Sequence, residues 1–183
     1  NRYWSNIPIW IDNFAGTPEY PAKFLKSFAI PVNSMLEYRI SNPNTDPIDL
    51  ELCFQGQNLD TFTYPKHCYQ QIAIDFNLPA QQKITNFYVL NLKGKFAINK
   101  LLAYVVNSQV DLMIDDITLI GSIGRSVISG QIKLTNMFGR AVRPNLIPEF
   151  TMFPNDVISI SITNPTNTDT SAQIVFDGYE LYD

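Results

Sequence analysis

Apolar and polar residues alternate with a period of two along most of this chain, and few folds tolerate that pattern. Ile72, Ile74 and Phe76 alternate with polar or small neighbours, as do Val110, Leu112 and Ile114. Ile158, Ile160 and Ile162 alternate with Ser159, Ser161 and Thr163. Ala172, Ile174 and Phe176 alternate with Gln173, Val175 and Asp177. Leu36, Tyr38 and Ile40 repeat the pattern, and so do Leu50, Leu52 and Phe54. In an extended chain successive side chains point to opposite faces, so each apolar set lines one face of a sheet. The segments are short, rich in Ile, Val, Tyr and Phe, and separated by clusters of Asn, Pro, Gly and Asp. A helical period is lacking, so helix is confined to a turn or two, expected near residues 65–71 or 126–129. The pattern predicts an all-β fold, an antiparallel β-sandwich of jelly-roll or Greek-key type.

A second pattern lies over the first. Sliding residues 28–59 along the chain until Phe28 meets Phe150 also places Asn33 on Asn155, Asn42-Pro43 on Asn164-Pro165, and Gly56 on Gly178, with no gap. The apolar sets coincide: Leu36, Tyr38 and Ile40 fall on Ile158, Ile160 and Ile162. Proline stops each first strand, because it fixes its own φ and extends the Asn before it. A partial internal duplication is therefore expected within one domain spanning 1–183. Its sub-units would be 1–60, a partial repeat with an aromatic N-terminal arm, and 84–183, the main sandwich. The arm carries Tyr3, Trp4, Ile7, Ile9, Trp10 and Phe14. It reads either as the first strand of the sandwich or as an arm lying on a neighbouring subunit; two exposed tryptophans invite aggregation unless covered.

Composition narrows the function. Of the 183 residues 45% are hydrophobic and 13% aromatic, so wholesale disorder is excluded. Only 16% are charged, below the average of about 25%, which suggests that partners cover part of the surface. The formal net charge of −4 argues against a protein that grips nucleic acid. No apolar run is long enough for a membrane-spanning helix. The single histidine, His67, sits beside Cys68; neighbours in an extended segment point apart, so they make a poor nucleophile–base pair. Cys53 and Cys68 lack metal or redox spacing; they read as two free thiols, with a disulfide between them as the alternative. Gly121-Ser122-Ile123-Gly124-Arg125 has no phosphate-loop lysine. Lys93, Lys95 and Lys100 read as a solvated basic face. Asp111 and Asp115 share the outward face of one strand and are the weak candidates for an oxygen-ligand metal site or a carboxylate pair. No cofactor is expected.

The runs Phe87-Tyr88-Val89-Leu90, Phe96-Ala97-Ile98-Asn99-Lys100-Leu101 and Leu134-Thr135-Asn136-Met137-Phe138-Gly139, with Arg143-Pro144 and Pro154-Asn155-Asp156, have a family look. So does the ending, Ile162-Thr163-Asn164 followed by Val175-Phe176-Asp177-Gly178-Tyr179-Glu180-Leu181-Tyr182. Over residues 84–183 the chain resembles small β-sandwich structural proteins of bacteriophage virions. The resemblance implies a non-enzymatic capsid, cement, vertex or fibre-base subunit that acts by self-assembly, with no cofactor or metal. It implies as partners copies of the chain and other virion proteins, and as location the virion, assembled in the bacterial cytoplasm. The family brings no catalytic residues to carry over. Interface cores are poor in charge and rich in aromatics and Met, so Tyr3, Trp4, Trp10, Phe14, Met137 and Phe138 are the candidate partner-interface residues. The alternative is a host-glycan or receptor-binding module of a phage fibre or tail, using Tyr3, Trp4, Trp10, Tyr179 and Tyr182 as a stacking platform. A β-rich glycosidase working through Asp111 and Asp115 is the remaining reading.

Overall fold

The computed structural model describes residues 4–15, 30, 35–42, 45–54, 67–107, 109–121, 124–128, 130–139 and 143–182. Among the described residues the sandwich has nine strands: β1 (His67–Leu78), β2 (Lys83–Val89), β3 (Lys95–Val105), β4 (Met113–Ile120), β5 (Arg125–Ser126), β6 (Ile132–Lys133), β7 (Asn145–Met152), β8 (Val157–Thr163) and β9 (Thr170–Leu181). One sheet runs in the order β1-β9-β3-β7 and the other β2-β8-β4-β5, with β6 also on β4. All named pairs are antiparallel. Successive strands pass from sheet to sheet, from β1 through β4 and again from β7 through β9. This order is that of a jelly roll built from two Greek keys.

Alternation explains the core. Ile72, Ile74 and Phe76 of β1, Ile158, Ile160 and Ile162 of β8, and Ala172, Ile174 and Phe176 of β9 share one core between the sheets, all buried. Two bulges interrupt the alternation. In β3, Ile98 lies opposite Gly178 and Lys100 opposite Asp177, so Asn99 is an extra residue. Ile98 and Leu101 both join the core, and Lys100 is turned to the outer face of the sheet. Gly178 permits the close approach there: a Cβ on it would overlap the Ala97 carbonyl. A second bulge lies between Ile114 and Asp116 of β4.

One seam of the sandwich is sealed and the other is not. On the β1–β2 side Asn86 Nδ2 donates to the Asp75 carbonyl at 2.6 Å. On the β7 side the sheets part around an apolar cavity of about 300 Å³, walled by Leu101, Ile117, Leu119, Met137, Ile147 and Phe150. β7 is an edge strand and carries Pro148, whose missing N–H blunts further pairing. At one end, the 164–169 connection is organised by buried Asn164. Its Nδ2 donates to the carbonyls of Leu78 (3.0 Å) and Thr168 (2.8 Å), and its Oδ1 accepts from the Thr166 N–H and hydroxyl.

Several sequence expectations change. Residues 67–71 are strand, not helix, because β1 pairs with β9 along its whole length. The described helices are single turns, α1 (Ile11–Phe14) and α2 (Leu134–Met137). Among the described residues the sandwich includes β1 (His67–Leu78), upstream of residue 84. The duplication is not carried into structure among the described residues: 35–42 and 45–54 lie in no strand, and Tyr38, Ile40, Leu50 and Phe54 are exposed where their counterparts are core.

Candidate functional site

β9 is buried on both faces, which a solvated sandwich strand would not be. Its inner residues fill the core; its outer residues Gln173, Val175, Asp177 and Tyr179 are covered as well. The N-terminal segment supplies part of the cover. Trp4 O accepts from the Gln71 N–H at 2.6 Å, and Ser5 forms a parallel bridge to Gln71. Asn6 exchanges two bonds with Ala73. Gln173 accepts from the Trp10 N–H at 2.9 Å and donates to the Pro8 carbonyl at 3.0 Å. Ile7 and Ile9 pack on Ala73, Leu102 and Val175, and Trp10 stacks on Tyr104 at 5.3 Å. The segment thus lies in none of the named strands and is docked on its own first sheet.

Beneath this side of the sheet lies a polar cluster. Tyr69 Oη donates to Asp177 Oδ2 at 2.5 Å and Gln71 Nε2 donates to the same oxygen at 3.0 Å. Lys100 Nζ stands 3.5 Å from Oδ1. Lys100 is 5% exposed and Asp177 2%. Tyr179 and Trp4 meet Tyr69 edge-on at 6.0 and 5.9 Å, and Trp4 in turn meets Phe54, which meets Phe14. Burial raises the Asp177 carboxyl above its ordinary range, against the opposing pull of the Lys100 ammonium and then of the Tyr69 and Gln71 hydrogen bonds. Burial first, and the Asp177 charge second, hold the Tyr69 hydroxyl well above its usual value, so it stays a donor.

Sequence reasoning missed this cluster. Asp177 and Gln173 alternate with core residues and so read as solvent-facing. The available signal was Val175 between them, an apolar residue on the supposed wet face. Lys100, expected on a solvated basic patch, is buried: the Asn99 bulge turns it to the outer face of the sheet beside Asp177, and both are covered there. Lys95 lies over the Phe153 ring at 5.9 Å, and the Lys93 and Gly94 N–H groups are held by Glu180 Oε1.

The other named residues disperse. Asp111 pairs with Lys133 at 2.7 Å. Asp115 accepts from Gln131 (2.7 Å) and Thr163 (2.6 Å), and Asp116 from Thr118 (2.6 Å) and Ser126 (3.1 Å). Among the described residues no group of three His, Cys, Asp or Glu is placed to hold a metal. Phe138, a candidate interface residue, belongs to the core, with its ring edge on Phe176 at 6.2 Å. Met137 lines the cavity. Trp4 and Phe14 are half-buried in the aromatic cover, and Tyr3 lies outside the described residues. Of the aromatic platform, Tyr179 is buried and touched edge-on by the His67 ring at 5.4 Å, and Tyr182 donates to Glu180. Cys53 and Cys68 are free thiols. Among the described residues no helix is long and apolar enough to cross a membrane. Comparison with family models and with curated proteins finds no match to this chain.

Proposed function

We propose that this chain is a non-enzymatic structural subunit of a bacteriophage virion, working through self-assembly as a capsid, cement, vertex or fibre-base component. The observation that carries the reading is a row of apolar side chains on the outer face of the second sheet. Val89, Val157 and Ile120 are register partners across β2, β8 and β4, and Phe87, 71% exposed, lies two residues along β2. The rest of that face near the row is Ser159, Thr118 and Ser126, and the one carboxylate beside them, Asp116, accepts from the last two. A charge-poor face with an exposed aromatic suits the centre of a protein interface. The jelly-roll order is one that capsid subunits use, although lectins and cupins share it, so the surface bears more of the argument than the fold.

The test is the native mass of the purified chain. Oligomers at high concentration that dissociate when Phe87→Glu and Ile120→Glu are introduced, with unchanged circular dichroism, support the reading. A chain that stays monomeric at millimolar concentration opposes it. The glycan-binding alternative needs ring faces open to sugar, and here Trp10 stacks on Tyr104 while Tyr179 is buried.

A further inference from the structure

We propose that Lys100 and Asp177 are the two halves of an intramolecular isopeptide bond that the folded chain forms by itself, joining β3 to β9 through the side chains. The two residues sit directly opposite one another in the ladder. The Asn99 bulge and the close approach at Gly178 bring them there.

The donors around Asp177 are unequal, and the inequality suits acylation. Tyr69 and Gln71 both donate to Oδ2. Apart from Lys100 Nζ, which faces it at 3.5 Å, no donor among the described residues meets Oδ1. A buried ammonium–carboxylate pair competes poorly with its neutral form in a dry site. Proton transfer within the pair gives an amine and a carboxylic acid, with the acid proton on Oδ1 pointing at nitrogen. The raised Asp177 carboxyl agrees with that form.

The chemistry balances without a co-reactant. The Nζ lone pair attacks Asp177 Cγ, and the C=O electron pair moves to Oδ2, where the Tyr69 hydroxyl and Gln71 amide act as an oxyanion hole. One proton passes from Nζ to the Oδ1 hydroxyl. The Cγ–Oδ1 bond breaks, water leaves, and the Oδ2 pair re-forms the carbonyl of a secondary amide. Nothing is oxidised or reduced. Lys100 Nζ is 3.5 Å from Oδ1, so a small rotation brings nitrogen to the reacting distance of about 3–3.5 Å from carbon. With the site covered, water that leaves does not readily return to hydrolyse the amide. The bond is independent of whether the chain assembles.

The experiment is the intact mass of the purified full chain under denaturing, reducing conditions, followed by peptide mapping. The expected result is a mass one water below the sequence mass, and a branched peptide joining Lys100 to Asp177. Lys100→Arg and Asp177→Ala restore the full mass. Tyr69→Phe, which removes one oxyanion donor, slows the loss of water after refolding on the order of a hundredfold. A full sequence mass after prolonged incubation of folded protein at neutral pH overturns the proposal, as does loss of water mapped to any other pair. If a variant does not fold, the branched peptide of the unaltered chain still decides.

Discussion

Asn6 and Ala73 exchange two hydrogen bonds: Asn6 Nδ2 donates to the Ala73 carbonyl at 2.8 Å, and the Ala73 N–H donates to Asn6 Oδ1 at 2.7 Å. One side-chain amide thus does for the outer edge of β1 what a paired strand would do. With the Trp4 carbonyl on Gln71 and the Asn86 amide on Asp75, three alternate residues of that edge are occupied. An edge so occupied cannot template pairing with another chain.

Asn6→Ala removes both bonds at a part-buried site and leaves the Ala73 groups to find water. It should destabilise the chain by about 1–3 kcal/mol and loosen the arm. Urea denaturation gives the first, and faster quenching of Trp4 and Trp10 fluorescence gives the second.

Lys100→Met removes the amine, so no amide forms and the Asp177 carboxyl stays buried without a counter-charge; this should cost about 3–5 kcal/mol at neutral pH. The sign with pH follows from the raised carboxyl. In this variant the folded chain holds the Asp177 proton more tightly than the unfolded one. The stabilising contribution is therefore complete below about pH 4 and is lost as pH rises through the folded-state value. Removing Lys100, which pulls that value down, widens the window. Urea midpoints at mildly acidic and mildly alkaline pH should differ for Lys100→Met, and that difference should shrink in Lys100→Met/Asp177→Asn.

Asn164→Ala and Asn42→Ala form a matched pair, since both residues precede a proline in the two halves of the sequence repeat. Asn164 is fully buried and satisfies two carbonyls; its loss should cost about 2–4 kcal/mol. Asn42 is exposed and donates to the Asp46 carbonyl at 2.7 Å; its loss should stay within about 0.5 kcal/mol. Equal costs in thermal denaturation would mean that the two Asn-Pro segments fold alike.

Phe138→Ala should cost about 3–5 kcal/mol as a core truncation while leaving the oligomeric state unchanged. Denaturation paired with light scattering separates the two. A changed oligomer with unchanged stability would return Phe138 to an interface.

Gly178→Ala should force β3 away from β9 at the Ala97 carbonyl. The expected cost is about 1–3 kcal/mol, read as a lowered melting temperature.

The period-two pattern alone was enough to identify the sandwich and most of its inner face. Ile72, Ile74, Ile158, Ile160, Ile162 and Ile174 are core because alternation is a local consequence of the extended backbone. The same pattern at Tyr38 and Ile40 ends in exposed residues outside any strand, because alternation offers a face but cannot supply a partner. The buried cluster was illegible for a related reason. Asp177 and Lys100 both look solvated, yet both are buried on the outer face of their sheet, where one extra residue at Asn99 sets Lys100 opposite Asp177. Both facts depend on contacts between segments far apart along the chain, and a register shift of one residue reverses which side chain faces which sheet surface. Local chemistry chose strand over helix; long-range packing chose which polar groups lost their water.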